Sequence, residues 1–446
     1  MPQSQLGSRV DGGMSNGQNR DLLYTDFKQM PATELAPSLA DRDKVASHYN
    51  SRKDVDVQER SDSEILQLRN LDNWVKSVLI SLFTCEGSLV LDFGGGKGGD
   101  LKKWSAQKIS ELVLVDGAIN SVVDCLERYN GMLEQNIVEF PLTVISCDIF
   151  QKRLSDLLEK DIFFDVVSSQ FVIHYAFGKE ECVRAMLTNV CERLREDGYF
   201  IGTIPDSNVL VRKWRNAPEN KHDFGNDNRL IATATITTIV HVITSRTADN
   251  HQFSIKKIKN KICFKNKINF IVEIMPSLIT YYANVYACQY QPKSTPKTYN
   301  NSDVSNPFGI RYYFRLHEAV DCPEYLVHFP TLVRIASEEP FNLELELEMN
   351  FHEFFVRYHD KFRDLLYRLK VVEQYEPNSG NDRMPSSASS KDKYNIDANQ
   401  WEVAYLYKVF AFRKRKSSPN ETKIYPTRKT PLPKKLDKKD MIVTED

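Results

Sequence analysis

The sequence has no amino-terminal hydrophobic segment of the secretory type and no run of about 18 apolar residues that could span a membrane. Its eight cysteines occur singly, without a C-x-x-C pair, so neither a zinc site nor a disulfide framework is indicated. The formal net charge of -1 argues against bulk coating of nucleic acid, although a local basic groove remains compatible with it. No G-x-x-x-x-G-K-[ST] pattern is present, which argues against nucleotide hydrolysis. We expect a soluble, intracellular protein.

Composition divides the chain into a central folded part and two tails. Residues 1–44 are rich in Gly, Ser, Gln and Asn and lack apolar periodicity, which predicts a disordered tail. We expect one folded domain over residues 45–412. Residues 413–446 are basic and contain several prolines, and we expect them to be disordered. They are either a solvated tail or a nuclear-import signal or RNA-attracting arm.

Buried strands alternate with helical patterns through the first half of the folded part. Apolar residues at three- and four-residue spacing predict a helix over residues 64–80. Five strands are expected, at SLVLDF (88–93), ELVLVD (111–116), LTVISCD (142–148), FFDVVSSQFVIHY (163–175) and GYFIGTIP (198–205). This alternation predicts an α/β fold with a parallel, doubly wound sheet.

The first strand runs into a glycine loop, GGGKGG, which satisfies G-x-G-x-x-G from Gly94. Alone, the pattern suits NAD, FAD or S-adenosylmethionine, because all three need close approach of the backbone. Asp116 ends the second strand, 22 residues after Gly94, where a carboxylate can accept both ribose hydroxyls of an adenosine. Asp148 ends the third strand, in reach of an adenine amino group. Together with the polar and aromatic fourth strand, these acids favour S-adenosylmethionine over NAD.

Six stretches of the chain together resemble the eukaryotic mRNA cap guanine-N7 methyltransferases. They are HYNSR (48–52), QLRNLDNWVKSVLI (67–80), VLDFGGGKGGDLKKW (90–104), SSQFVIHYAF (168–177), CERLREDGYFIGTIPDS (191–207) and WEVAYLYKVFAF (401–412). The resemblance covers most of residues 45–227 and 284–412. It implies a class I S-adenosylmethionine-dependent methyltransferase fold, a Rossmann-like doubly wound sheet, with a cap-binding insertion after the fifth strand.

The resemblance also implies roles for individual residues. Six would bind the donor: Lys76 at its methionine carboxylate, Gly94 against it in the loop, Asp116 at the ribose, Asp148 at the adenine, and Gln170 and Tyr175 at the junction with the cap. Seven would bind the cap: Asp72, Asn73, Lys97, His174, Pro205, Glu324 and Tyr407. Among these, Lys97 would face the triphosphate, Glu324 would accept from the guanine N1–H and N2 amino group, and Tyr407 would close over the cap.

Three positions depart from the family's usual pattern. The chain has Asp72-Asn73 where the family has Asn-Asn, Gly95 where it has Cys, and Asp206 where it has Asn. Gly95 only adds flexibility to a glycine-rich loop. Asp72 matters more, because a carboxylate near the triphosphate would weaken substrate binding unless a cation pairs with it.

The implied reaction transfers a methyl group from S-adenosylmethionine to N7 of the terminal guanosine of the GpppN cap of RNA, by in-line attack. Guanine N7 carries a lone pair and no proton, so neither a general base nor a metal is expected. Alignment alone can lower the barrier by roughly 7–11 kcal/mol. Positive charge moves onto the guanine ring during transfer, so a carboxylate such as Glu324 interacts more strongly with the transition state than with the substrate.

Two other functions remain open from the sequence: a NAD-dependent Rossmann oxidoreductase, and a catalytically inactive form that only binds RNA. For the methyltransferase we expect capped RNA as a partner, together with other capping enzymes or the transcription machinery. We expect no membrane association, a monomer, and a location in the nucleus.

Residues 228–283 do not fit the rest of the chain. They contain eleven Ile, six Lys and five Asn but no Gly, a composition typical of AT-rich codons. Removing them would join Asp227 to Asn284 and make the resemblance continuous. We therefore predict a non-core insertion here, either a retained intron or a lineage-specific surface segment.

Overall fold

The computed structural model describes residues 39–52, 62–215, 230–232, 270–274, 307–316, 318–374, 392–416 and 423–444. The helices in these ranges are α1 Leu39–Ser51, α2 Leu66–Phe83, α3 Leu101–Ala106, α4 Ile119–Glu134, α5 Glu180–Glu192, α6 Ser207–Arg215, α7 Phe329–Ser337, α8 Phe351–Tyr358, α9 Arg363–Arg368 and α10 Ala398–Ala404. The strands are β1 Leu89–Phe93, β2 Glu111–Asp116, β3 Leu142–Ser146, β4 Phe164–Gln170, β5 Leu194–Pro205, β6 Leu230–Ala232, β7 Phe270–Ile274, β8 Arg311–Leu316, β9 Val320–Tyr325, β10 Leu343–Asn350, β11 Val372–Gln374, β12 Asp392–Tyr394, β13 Tyr407–Lys414 and β14 Ile442–Val443.

An eight-stranded sheet in the order β10-β13-β5-β4-β1-β2-β3-β14 forms the centre of the fold. Strands β1 to β5 are parallel, as the alternation of strands and helices predicted, and β13 adds to β5 in the antiparallel direction. The doubly wound α/β fold is therefore confirmed. The strand order changes direction between β1 and β4, and open α/β sheets bind ligands at the carboxyl ends of the strands beside such a switch point.

The sheet is buried on both faces, and this explains why its central strands read as continuous apolar runs. Successive residues of β1 illustrate the arrangement, since Val90 belongs to one core and Leu91 to the other. Helices α2, α4 and α8 cover the face of Val90, and α5 and α7 cover the face of Leu91. The described helices include none with the length and apolar character needed to cross a membrane.

A second, four-stranded antiparallel sheet has the order β6-β7-β8-β9 and carries Glu324 on β9. Strands β6 and β7 come from the segment 228–283 that we predicted to be an insertion outside the core. In the structure β7 pairs with β8, from Phe270 opposite Leu316 to Ile274 opposite Tyr312. The remainder of that segment lies outside the described residues, and its status as an insertion stays a prediction.

Both chain ends differ from the sequence expectation. At the amino-terminal end, helix α1 begins at Leu39, so residues 39–44 are helical, and residues 1–38 lie outside the described part. At the other end, Arg413 and Lys414 belong to β13, and residues 423–444 contact the folded domain. The expectation of a disordered tail is corrected for these residues. Basic side chains of this C-terminal region pair with carboxylates that are distant in sequence, as Arg413 does with Asp197 and Arg428 with Glu111. Composition alone does not reveal such pairs.

Candidate functional site

The glycine loop follows β1 at the switch point, and its glycines differ in the space around them. Gly94 has φ 79°, and a Cβ added there would lie 2.5 Å from a methyl carbon of Val172, so only glycine fits. Gly96 has φ 53°, and among the described residues only the Asp116 carboxylate, at 3.9 Å, lies within 4 Å of an added Cβ. The loop is fixed to strand β2, because the Gly94 N–H donates to the Val115 carbonyl at 2.7 Å.

Asp116 lies beside this loop, as predicted. Its Oδ2 accepts from the Gly96 N–H at 2.9 Å and its Oδ1 from the Ala118 N–H at 2.8 Å. Burial raises the pKa of Asp116, and these two backbone hydrogen bonds oppose that rise. Each carboxylate oxygen retains acceptor capacity, because it has two lone pairs and one bond. The side chain is therefore fixed in place and can still accept hydroxyl groups.

Asp148 and Gln170 follow the ends of β3 and β4 at the same edge of the sheet. Asp148 closes the turn after β3, accepting from the Phe150 N–H at 2.9 Å and from Gln151 Nε2 at 2.7 Å. Gln170 donates from Nε2 to the Ser168 hydroxyl at 3.0 Å, whereas its buried Oε1 has no hydrogen-bond partner among the described residues. A buried amide oxygen left in this way is costly unless a ligand donates to it.

A buried charge cluster holds Lys76. Its Nζ lies 2.8 Å from Asp100 Oδ1, and Lys103 Nζ lies 2.7 Å from the same oxygen. Burial alone would raise the pKa of Asp100, but the two lysines lower it well below its usual range. Burial would lower the pKa of Lys76, yet Asp100 raises it, so Lys76 stays charged. Asn73 joins the cluster by accepting from Lys103 at 2.8 Å.

Lys97, the one lysine of the glycine loop, was expected to face the cap triphosphate. In the structure its Nζ lies 2.6 Å from Asp124 Oδ2 on α4 and donates to the Arg52 carbonyl at 2.5 Å. The side chain thus joins the loop to α4 and to the chain that follows helix α1. Any contact with phosphate would add to, or replace, these two partners.

Helix α1 contacts the predicted junction of donor and cap through the side chain of Tyr49. The Tyr49 hydroxyl lies 3.1 Å from that of Tyr175, and the Tyr175 hydroxyl lies 3.4 Å from the Cys322 thiol. Burial raises the pKa of both tyrosines, so both remain neutral donors at physiological pH. These contacts connect helix α1, the turn after β4 and strand β9 at one point.

Glu324 lies next to that junction and is only 4% exposed. The Tyr312 hydroxyl donates a short hydrogen bond to Oε2, and Oε1 lies 3.5 Å from His174 Nε2. At 3.5 Å the histidine contact is too long to count as a hydrogen bond, and both ring nitrogens of the buried His174 lack a partner among the described residues. His174 therefore lies beside the Glu324 carboxylate with the hydrogen-bonding capacity of its ring nitrogens unused.

Aromatic rings form the opposite wall. Tyr407 contacts Phe171 at 5.0 Å and Phe351 at 5.8 Å between ring centroids, and it pairs with Pro205 across β13 and β5. Burial first, and then the charges of Glu324 and Asp72, raise the pKa of Tyr407 well above its usual value. The predicted cap residues Pro205, Glu324, Tyr407 and Asp72 are thus brought into one neighbourhood.

Asp72 is the residue at which the chain departs from the family's usual asparagine. Its Oδ1 is buried without a hydrogen-bond partner among the described residues. Burial raises its pKa to about 7, even though the charges of Lys76 and Arg69 pull the pKa down. The lysine therefore offsets the added carboxylate only in part.

Three participants were not identified from the sequence: Tyr49, Tyr312 and Asp100. Asp100 is the last residue of the glycine motif GGKGGD. Its acidic side chain at that position was the one local signal that a carboxylate could pair with the lysines of the site. Tyr49 lies within HYNSR and Tyr312 within FGIRYYF, but their partners Tyr175 and Glu324 are 126 and 12 residues away. Only the packing of β8 against β9 and of α1 against β9 brings them together.

The donor side of the site fits S-adenosylmethionine. The open backbone at Gly96 leaves room beside Asp116, the unpaired Gln170 oxygen can accept a donor group, and the charged Lys76 can bind a carboxylate. Within the described ranges, no group of three or more His, Cys, Asp or Glu side chains is arranged to hold a metal ion.

Comparisons with known proteins agree on one family. A family model described as the mRNA (guanine-N(7))-methyltransferase domain matches residues 34–237 and 269–415. It leaves 238–268 unmatched, a stretch inside the segment 228–283.

Curated relatives have the same name across plants and fungi. The mRNA cap guanine-N(7) methyltransferase 1 of Oryza sativa subsp. japonica is 35% identical over 383 residues, covering 85% of this chain and 83% of its own. The mRNA cap guanine-N(7) methyltransferase of Schizosaccharomyces pombe is 33% identical over 380 residues, covering 84% and 82%. That of Saccharomyces cerevisiae is 30% identical over 382 residues, covering 83% and 70%. Because the family model matches more than half of the chain and these relatives match most of its length, the chain belongs to the mRNA (guanine-N(7))-methyltransferase family.

Proposed function

We propose that the protein methylates N7 of the terminal guanosine of a 5'-capped RNA, with S-adenosylmethionine as the methyl donor. The observation that carries the proposal is the buried Glu324, which lies with His174 and Tyr407 beside Tyr175, at the junction between the glycine-loop site and the aromatic pocket. Family membership supports the reaction, and it gives no support to an oxidoreductase or to an inactive RNA-binding form.

The donor residues divide the work of binding. Asp116 accepts the ribose hydroxyls, Asp148 and its turn hold the adenine end, and Lys76, kept charged by Asp100, binds the methionine carboxylate. When bound there, S-adenosylmethionine supplies a methyl group activated by the positive sulfur next to it. Gly96 leaves room for it, because among the described residues the nearest side-chain atom to a Cβ added there is in the Asp116 carboxylate, at 3.9 Å.

The cap residues orient guanine without moving a proton. Glu324 accepts from the N1–H and N2 amino group, and Tyr312 fixes its carboxyl group from the other side. Tyr407 covers the ring from the wall formed with Phe171 and Phe351. As the ring gains positive charge, the attraction of Glu324 increases, so this residue lowers the barrier rather than only the dissociation constant. Tyr175 and His174 exclude water at the junction.

A conservative change at Glu324 tests the cap assignment. Glu324→Gln keeps the shape but sets an amide donor against donors of the guanine edge, so we expect methyl transfer to GpppA-capped RNA to fall by at least tenfold, which corresponds to about 1.4 kcal/mol. Binding of adenosylhomocysteine, measured by calorimetry, should not change. Asp321→Asn is the matched control, because Asp321 lies on the same strand with an exposed carboxyl group. A parallel loss of donor binding in Glu324→Gln would remove this residue from the cap pocket.

A change at Asp116 tests the donor assignment independently. Asp116→Ala leaves two ribose hydroxyls without their acceptor, and each lost charged hydrogen bond costs about 1.5–3 kcal/mol. We expect donor affinity to fall by at least tenfold, with cap-analogue binding retained. Unchanged donor affinity would contradict the assignment of Asp116.

The cellular setting follows from the reaction. Caps are added to transcripts in the nucleus, so we place the protein there, as a monomer that works with other capping enzymes or with the transcription machinery. Basic residues for import remain accessible in the C-terminal region, where Lys434 and Lys435 have exposed side chains. Imaging of a tagged full-length chain tests the location, and Lys434→Ala with Lys435→Ala should reduce nuclear signal if these residues direct import.

A further inference from the structure

Residues 423–444, which we call the C-terminal strap, lie beyond the end of the family match at residue 415. The strap is anchored at three places, to strand β2, to helix α4 and to the end of strand β3. Its last strand, β14, is an edge strand of the large sheet. From the sequence we expected a disordered basic tail, either solvated or acting as a nuclear-import signal or RNA-attracting arm.

The first anchor is electrostatic. Arg428 donates to both carboxylate oxygens of Glu111, at 2.6 and 2.8 Å, and contacts Glu159 at 2.7 Å and Asp161 at 2.8 Å. The side chains of Arg428 and Glu111 are only 8% and 2% exposed. Bidentate pairing of a buried carboxylate is the strong form of an ion pair, because geometry and charge act together. The Tyr425 ring packs on Phe163 at 5.1 Å next to it.

The second anchor is on helix α4. The Asn130 side chain donates to the Leu436 carbonyl at 2.8 Å and accepts from the Leu436 N–H at 2.9 Å. The Leu436 side chain is buried in the same core as the helix. This reciprocal pair fixes the strap before it turns toward the edge of the sheet.

The third anchor is next to the donor site. Strand β14 pairs in parallel with the last residues of β3, Ile442 opposite Ile145 and Val443 opposite Ser146. The Thr444 N–H then donates to the Ser146 carbonyl at 3.1 Å. Ser146 precedes by two residues Asp148, whose turn is assigned to the adenine end of the donor. On its other side the same chain is held by β2, since the Cys147 N–H donates to the Asp116 carbonyl at 3.2 Å.

We propose that the C-terminal strap is a positioning element of the donor site. By pairing with the carboxyl end of β3, it holds the Asp148 turn in the geometry that receives adenosine. None of the strap's described hydrogen bonds, ion pairs and strand pairings reaches a residue assigned to the cap, so we expect its effect on the donor. The inference rests on the proposed function, because Asp148 is assigned to the donor there.

The test uses the full-length chain and a pair of variants at one position. Thr444→Pro removes the N–H that bonds Ser146, whereas Thr444→Ala keeps it and is the matched control. We expect Thr444→Pro to raise the KM for S-adenosylmethionine by about three- to tenfold, the effect of one lost hydrogen bond. The KM for capped RNA and kcat should stay within about twofold of the wild type, and Thr444→Ala should match the wild type.

Two further measurements separate the possible failures. Asp148→Ala reports on the donor assignment itself: if it leaves the donor KM unchanged, the assigned adenine site is wrong and the inference fails with it. If Asp148→Ala raises the donor KM but Thr444→Pro does not, the donor site stands and the strap has no positioning role. A lower melting temperature in Thr444→Pro with both KM values unchanged, or an equal rise in both, would make the strap purely structural and overturn the proposal.

Discussion

Replacing Asp72 with asparagine removes an ionisable group from the proposed cap site while keeping the size of the side chain. Burial raises the pKa of Asp72 to about 7, and its Oδ1 has no hydrogen-bond partner in the described chain. A carboxyl group with a raised pKa in the folded state favours folding below its unfolded pKa, near 3.9, and this contribution is lost as the pH rises through 7. The wild type therefore has an electrostatic penalty at pH 8 that the asparagine variant lacks.

The magnitude follows from the size of the shift. A rise of about 3 pKa units corresponds to at most about 4 kcal/mol at pH 8. The Asp72 side chain is partly accessible, so solvent screening reduces the effect, and we expect Asp72→Asn to gain about 1–2 kcal/mol in free energy of unfolding. For a domain of this size that corresponds to roughly 2–8 °C in melting temperature.

The assay is thermal unfolding of both proteins between pH 4 and pH 8. We expect melting temperatures that coincide near pH 4, diverge up to pH 7 and stay apart above it, with the asparagine variant higher. The KM for capped RNA at pH 8 should also fall in the variant, because an ionised carboxylate no longer opposes the triphosphate. A difference in melting temperature that does not depend on pH, or one of the opposite sign, would refute the reasoning.

Three other outcomes are expected. Gly94→Ala should weaken donor binding by at least tenfold, because the new methyl group meets Val172 at a positive φ. Gly99→Ala should not, because no atom of the described residues lies within 4 Å of the Cβ added there. Tyr312→Phe should reduce methyl transfer with donor affinity retained, since Glu324 loses its buried donor at a cost of about 1–3 kcal/mol. Deleting residues 228–283 should leave an active and more soluble enzyme; if only a deletion of 238–268 is active, β7 is structural and the predicted insertion is smaller. Single-turnover methyl transfer measures the activity of each deletion variant. A survey of transcripts that lack the codons of residues 228–283 tests whether the segment is a retained intron.

Part of the site could be predicted from sequence because the signals are local. Strands β1 to β5 appear as apolar runs because both faces of the sheet are covered, and the glycine loop after β1 needs its residues consecutively. Asp116 could be placed from its position at a strand end, since parallel strands bring their carboxyl ends to one edge. The resemblance then assigned Glu324 and Tyr407, which no local pattern would have joined.

The remaining interactions depend on packing between segments that are distant in sequence. The pairing of Lys97 with Asp124 and of Arg428 with Glu111 could not be derived from composition, which treats a basic run as solvated. For the same reason the predicted disorder of residues 423–444 was wrong.

By itself, the sequence determined the first five strands with their helices and the glycine loop, because each of these depends on residues close together in the chain. It also indicated the family, through six short stretches that each keep a recognisable local pattern. Only the tertiary structure determined the pKa values and the positions of the charged side chains. The pKa of Asp72 depends on how deeply α2 is buried, and the fixed position of Lys76 depends on Asp100, which lies 24 residues further along the chain. Burial and distance set these electrostatic interactions, and neither quantity exists until the chain has folded.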